Sequence, residues 1–182
     1  VHFFSQQPIR SVADLRQSKP WMWEGDPLVE QVYKEMGVQP IPLSITDVLL
    51  SLQTGMVDTV YSSTQGALAL QWFTKVKHVT RLRMGYATGG VLISKKKFDK
   101  LPEPYQTVLK KIGADGLREL VQIVQSDNLK AEKVLADNDV TWVALPDEKE
   151  MTAFHEAGAA VRKNLAGKYI PSQLLEQVLG HL

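Results

Sequence analysis

The residues best suited to chemistry in this sequence are aromatic, hydroxyl and carboxylate side chains placed where strands give way to helices. Trp21-Met22-Trp23 sets two indoles two residues apart, so on a strand they face the same side. Glu24-Gly25-Asp26 follows at once. Gly25 lets a backbone approach a ligand, and Asp26 either contacts that ligand or caps the next helix. Tyr61-Ser62-Ser63-Thr64 closes another strand and opens another helix. Its hydroxyls and free helix N–H groups can hold an anion, and the same groups are what any helix start uses for capping. The indoles also have two readings. They form an apolar or stacking wall at the carboxyl end of a strand, where open α/β sheets bind ligands, or they pack beneath a helix. Both patterns are suited to non-covalent capture.

Covalent and metal chemistry find no footing. The chain has no cysteine, which removes thiolate catalysis, cysteine metal sites and disulfides. His2, His78, His155 and His181 are scattered without metal-ligand spacing. Gly85-Tyr-Ala-Thr-Gly-Gly90 is glycine-rich but is neither a dinucleotide fingerprint nor a P-loop, and no nucleophile elbow occurs. We expect no cofactor, no metal and no enzyme activity. The formal net charge of +1 gives no bulk attraction for nucleic acid. Arg81 and Arg83 share one side of a strand, serving either as an anion clamp or as solvated surface, and Lys95-Lys96-Lys97 reads as a solvated turn. No apolar run approaches the roughly 20 residues of a membrane span. Val1-His-Phe-Phe-Ser-Gln is too short, and lacks the basic start, for a signal peptide.

The elements that must position these residues centre on Ile41 to Asp58, which reads as strand, helix, glycine stop and strand, a βαβ unit that implies a parallel sheet. Thr46 is the expected N-cap and Gly55 the left-handed C′ residue. Upstream, strands are expected over Val1 to Phe4 and Lys19 to Glu24, with a turn of helix capped by Ser11. Asp26-Pro27 starts a helix that Gly37 ends. A helix from Ser63 or Thr64 to about Val76, strands at Thr80 to Met84 and Gly90 to Ile93, and a long helix from Leu101-Pro102 to about Ala136 follow. Gly113 and Gly116 are expected to weaken or bend that helix. A strand at Val140 to Ala144 and helices from Pro146-Asp147 and Pro171-Ser172 complete the chain.

Three blocks in this order resemble the dicarboxylate-type (DctP-like) solute-binding proteins of TRAP transporters. They are Pro8-Ile-Arg-Ser-Val-Ala-Asp-Leu-Arg-Gln-Ser-Lys19, the run Ser44-Ile-Thr-Asp-Val-Leu-Leu-Ser-Leu-Gln-Thr-Gly-Met-Val-Asp58, and Ser94-Lys-Lys-Lys-Phe-Asp-Lys-Leu-Pro-Glu-Pro-Tyr-Gln106. The resemblance implies an α/β, periplasmic-binding-protein-like (type II style) lobe. That lobe has a mainly parallel sheet flanked by helices, plus a long helix and C-terminal helices. It implies that residues 1–88 and 129–182 form the second ligand-binding lobe and that residues 89–128 cross to the first lobe. Because family members are considerably longer, the chain is expected to be a C-terminal portion lacking most of the first lobe.

By the same resemblance, the protein is an extracytoplasmic, periplasmic receptor that closes two lobes around a small organic acid and delivers it to TRAP membrane permease subunits. The family usually carries a carboxylate-clamping arginine in the strand where this chain has Trp21 and Trp23. Its absence shifts the expected ligand toward an acid with an apolar or aromatic part. The expected ligand-binding residues are Trp21, Trp23, Gly25, Asp26, Tyr61, Ser62 and Ser63. The helix bearing Tyr105, Val108 and Ile112 is expected either to expose its apolar face or to have it covered by self-association. The alternative from another class is a receptor-like interaction or sensing module without transport. A small α/β enzyme would need a nucleophile beside a base, and no such pair stands at recognisable spacing.

Overall fold

The computed structural model describes residues 1–181. The chain begins with β1 (His2–Ser5), α1 (Val12–Gln17), β2 (Trp21–Trp23), α2 (Pro27–Glu35) and β3 (Ile41–Leu43). It continues with α3 (Val48–Thr54), β4 (Thr59–Ser62), α4 (Thr64–Ala69), β5 (His78–Thr80) and α5 (Lys95–Phe98). It ends with α6 (Glu103–Asp137), β6 (Thr141–Val143), α7 (Glu148–Leu165) and α8 (Ser172–Leu179).

Local chemistry sets most of the helix starts. Ser11 and Asp14 form a reciprocal capping box on α1. Asp26 caps α2 with Pro27 at its first position, and Asp147 caps α7 through the Glu150 N–H. Gly37 and Gly55 sit at φ 66° and 71°, the left-handed region where a side chain is disfavoured. The Thr46 cap does not form. Its hydroxyl lies 2.9 Å from that of Ser44, and the chain instead enters α3 through a 3-10 turn over Ile45–Asp47. The helix expected to reach Val76 stops at Ala69, because Gln71 turns left-handed (φ 58°) before a short 3-10 turn over Trp72–Lys75.

β1 lies between β4 and β5 and runs antiparallel to both, while β6 is parallel to β5 and β2 is parallel to β3. A parallel bridge between Pro20 and Thr59 joins the two sheets. The order across the molecule is therefore β3-β2-β4-β1-β5-β6, with β1 alone reversed. The sheet is mainly parallel in direction, and the βαβ crossover from β3 to β4 straddles β2. All strands but β1 end at one common edge, and β1 begins there.

Adjacent residues on each strand serve opposite faces. Phe4, Trp21, Val60 and Val79 point to one side, where they pack with Val48, Leu52, Trp72 and Leu135. Phe3 and Met22 point to the other, against Leu15, Val29, Tyr33 and Phe154. Helices α3, α4 and the end of α6 cover the first face, and α1, α2 and α7 cover the second.

The stretch after β5 departs from expectation. The strand there ends at Thr80 rather than Met84, and residues 90–93 form no strand. Among the described residues no strand pairs with that segment, and Val91 and Leu92 are 81% and 93% exposed. Helix α6 runs unbroken past Gly113 and Gly116, whose missing side chains face open space. Its first part exposes Tyr105, Val108, Leu109, Ile112, Leu120 and Val124, as expected for a face without a partner in this chain.

Candidate functional site: an aromatic edge at the strand ends

The common edge collects the residues that follow β2, β3 and β4. Trp21 is only 1% exposed and belongs to the core. Its indole N–H donates to the Leu43 carbonyl at 3.0 Å, its ring stacks on Tyr61 (centroids 4.9 Å apart) and it meets Trp72 edge-on at 5.2 Å. The Tyr33 hydroxyl, from the other side of the sheet, donates to the Trp21 carbonyl at 3.2 Å. Trp21 therefore presents no free face at the edge and acts as the floor beneath the residues that do.

Trp23 is one of those residues, 48% exposed, with its ring centroid 6.1 Å from that of Trp21. The two indoles share a side of the strand as their spacing dictates, one under the core and one at the rim. The Trp23 backbone N–H donates to the Tyr61 hydroxyl oxygen at 3.1 Å, tying the ends of β2 and β4 together. With its oxygen accepting from Trp23, Tyr61 keeps its own O–H free to donate outward. Burial, opposed by that hydrogen bond and reinforced by the Asp26 charge, pushes the Tyr61 phenol up to about 12. Tyr61 is thus a neutral donor at any physiological pH.

Gly25 adopts φ 79° with empty space where a Cβ would stand, an open backbone position beside Trp23. Asp26 spends its carboxylate on the Leu28 and Val29 N–H groups, at 3.0 and 3.1 Å. It serves as a cap, and what it offers a ligand is charge at a distance.

On β4 and α4, Ser63 accepts from the Gly66 N–H at 3.0 Å. Ser62 is half-buried, and its hydroxyl lies where a Cβ on residue 66 would clash, so Gly66 makes room for it. The N–H groups at the start of α4 were expected to be free for an anion. Two are already taken, because the Asn128 side-chain oxygen of α6 accepts from the Gln65 N–H at 3.1 Å and Ser63 holds that of Gly66. The Thr64 hydroxyl lies 2.9 Å from the Asn128 carbonyl and 3.0 Å from its side-chain oxygen. Asn128 was not foreseen. An asparagine inside a helical apolar rhythm, where it is a weak helix former, was the signal available.

Farther along the same edge, beyond β1, stand the arginines. Arg81 lies 5.3 Å over the Trp142 ring, and Arg83 is exposed near the chain's first residues, where burial chiefly, and the Arg83 charge to a lesser degree, lower the His2 and Val1 amine values. Two grooves occur away from this edge. One, of about 450 Å³, lies between α1, α2 and α7, and another, of about 570 Å³, lies beside Phe73 and Asn138. Neither gathers the exposed aromatic and hydroxyl groups of the strand ends. An open sheet edge becomes a pocket only when a second body faces it, so concavity within one lobe is the weaker guide. No His, Asp and Glu cluster suited to a metal occurs among the described residues.

A lobe of this topology, a mainly parallel sheet with helices on both faces, has the α/β architecture of a periplasmic-binding-protein-like lobe. Residues 1–168 match the family described as bacterial extracellular solute-binding protein, family 7 (DctP), and the chain belongs to that family. It is 25% identical, over 139 residues, to the C4-dicarboxylate-binding periplasmic protein DctP of Rhodobacter capsulatus, a match covering 76% of this chain and 42% of that protein.

Among solved structures, it resembles the TRAP periplasmic solute-binding protein of Pseudomonas putida F1 with bound D-glucuronate. There the TM-score is 0.81 at 23% identity, covering 97% of this chain and 56% of that one. The Desulfovibrio desulfuricans protein with bound sn-glycerol-3-phosphate gives 0.81 at 21%, covering 95% and 55%. The Desulfovibrio salexigens protein with bound orotic acid gives 0.81 at 17%, covering 99% and 58%. At these identities the likeness to solved structures shows the fold. The chain spans about half the length of the relatives it matches. Proteins of this family are periplasmic receptors that bind substrates rather than transform them. Among the described residues, no helix is long and apolar enough to cross a membrane.

Proposed function

We infer that this chain is the ligand-binding second lobe of the extracytoplasmic subunit of a TRAP-type secondary transporter. It captures a small organic acid with an apolar or aromatic part between two lobes and delivers it to the membrane permease. The observation that carries this reading is the half-exposed Trp23 at the carboxyl edge, backed by the Tyr61 hydroxyl and flanked by Ser62. In this reading Trp23 and the Gly25 backbone form one wall, Tyr61 and Ser62 donate hydrogen bonds, and Trp21, Asp26 and Ser63 hold the wall in place. Relatives of the same fold hold D-glucuronate and orotic acid, both small acids, which supports the substrate class.

Residues 89–128 belong, in this reading, to the first lobe. The support is the exposed Val91 and Leu92 and the uncovered row Tyr105, Val108 and Ile112, each at least half exposed among the described residues. Ligand contacts to both lobes would then stabilise the closed form by differential affinity for it.

A thermal-shift screen of the intact protein against mono- and dicarboxylates, keto acids, aromatic acids and neutral apolar compounds tests the assignment. A ligand that binds only the folded state raises the midpoint once its concentration exceeds Kd. A hit among acids, lost on Trp23→Ala or Ser62→Ala, is expected. Silence across every class from a folded protein would refute it.

A further inference from the structure

Around β2, β3 and β4 the carboxyl edge carries only negative charge; the arginines lie across β1, beside β6, whose following loop brings Asp147 and Glu148. The loops after β2 and β3 bring Glu24, Asp26 and Asp47, the loop after β4 brings no charge, and none of the three brings a lysine or arginine. Both arginines of the edge, Arg81 and Arg83, follow β5, and β1 separates β5 from β4. Lys19 cannot neutralise the acidic side. It precedes β2, at the opposite end, where its ammonium donates to the Gly55 carbonyl at 3.1 Å. Lys130, near Asn128 on α6, is held by Asp127 at 3.0 Å. The four ion pairs among the described residues all lie on α5 and α6, so Glu24, Asp47 and Arg83 stand uncommitted. The half-exposed Trp23 ring sits on the acidic side.

We propose that the ligand is a zwitterion, with a cationic nitrogen on the face of Trp23 and a carboxylate toward Ser62 and Arg83. The proposal rests on the reading of this edge as the binding face and narrows the class of acid it takes. An indole face attracts a cation through its quadrupole, and uncompensated carboxylates beside it add to that attraction. A dicarboxylate laid across the same edge would put one negative end against Glu24 and Asp26, an unfavourable like-charge contact. The hydroxyls of Tyr61 and Ser62 are neutral and span the boundary between the two sides.

The test is isothermal titration of the intact protein with isosteric sets. Each set holds a trimethylammonium carboxylate, its tert-butyl carbon isostere, which lacks the cation, and the matching trimethylammonium alcohol, which lacks the anion. Chains of one to four methylenes cover the unknown separation. The zwitterion of at least one set is expected to bind about tenfold or more tightly than both of its partners. Trp23→Leu, which keeps apolar bulk without a π face, and Glu24→Gln should each erase the preference over the tert-butyl compound. Arg83→Gln should erase the preference over the alcohol. Equal binding of zwitterion and tert-butyl compound, or no binding by any zwitterion while D-glucuronate or orotate binds, would overturn the proposal and leave the receptor reading intact. A folded protein that binds none of these would overturn both.

Discussion

Residues 103–124 of α6 and residues 128–137 of the same helix carry the same kind of apolar rhythm, yet only the second stretch is packed. Ala131 and Leu135 are buried, and Asn128 is bonded to the start of α4. Tyr105, Val108, Ile112, Leu120 and Val124 all stand at 46% exposure or more. The difference teaches what hydrophobic periodicity encodes. It specifies that a face is to be covered, and says nothing about whether the cover lies in the same chain.

Truncation separates the two stretches most sharply. Leu135→Ala removes a fully buried side chain and should cost about 2–5 kcal/mol of unfolding free energy. Trp21→Ala, which also undoes the Tyr61 stack and the bond to Leu43, should cost about 3–5 kcal/mol. Ile112→Ala in this same chain should stay within about 0.5 kcal/mol of the parent. Urea denaturation followed by tryptophan fluorescence measures all three. A large loss at Ile112 would mean that the exposed face is covered, and the contrast between the two stretches would fall.

The next effect is on association rather than folding. Replacing Tyr105, Val108 and Ile112 together by Ser should leave the unfolding midpoint of this chain unchanged while lowering any concentration-dependent self-association seen by sedimentation. Smaller again is the anchor between the stretches. Asn128→Ala leaves the Gln65 N–H without its protein partner and should cost about 1–2 kcal/mol, with Thr64→Val costing less. If Asn128→Ala proved neutral, the side chain would add nothing to the packing of Ala131 and Leu135 and to the Thr64 bond to the residue-128 carbonyl.

The same contrast explains what could be read in the sequence. Caps and stops are local, so Ser11, Asp26, Gly37, Gly55 and Asp147 were legible from residue type and spacing. The βαβ unit was legible because its periods change within one short run. The reversed direction of β1 was not, since nothing in His2–Ser5 encodes which neighbours it pairs with. The expected strand at residues 90–93 failed for the reason α6 stands uncovered: a strand requires a partner, and propensity supplies none. At the edge, spacing put Trp21 and Trp23 on one side but could not rank their depth. That ranking depends on Trp72 and Leu43, which are remote in sequence. Asn128 is remote from Thr64 in the same way.

The smallest effect tests how Trp23 is held. Tyr61 accepts from the Trp23 N–H while half-buried, and burial raises its phenol to about 12 from the ordinary 10.0. In the unfolded chain the phenol ionises as pH rises through 10.0, whereas the folded state keeps its proton to about 12. Between those values the unfolded state binds fewer protons, so stability must fall as pH rises and must be flat with respect to this group below the window. Tyr33, buried on the other side of the sheet and also raised, contributes in the same direction. Tyr61→Phe should therefore reduce, without abolishing, the alkaline loss of stability. It should also loosen Trp23, visible as a red shift of its emission at neutral pH. Trp23→Ala, by comparison, should change stability by less than about 1 kcal/mol, because nearly half of its surface is already in water. An unchanged alkaline slope in Tyr61→Phe would mean that the phenol is no better shielded in the folded protein than in the unfolded chain. The edge would then rest on Trp21 alone.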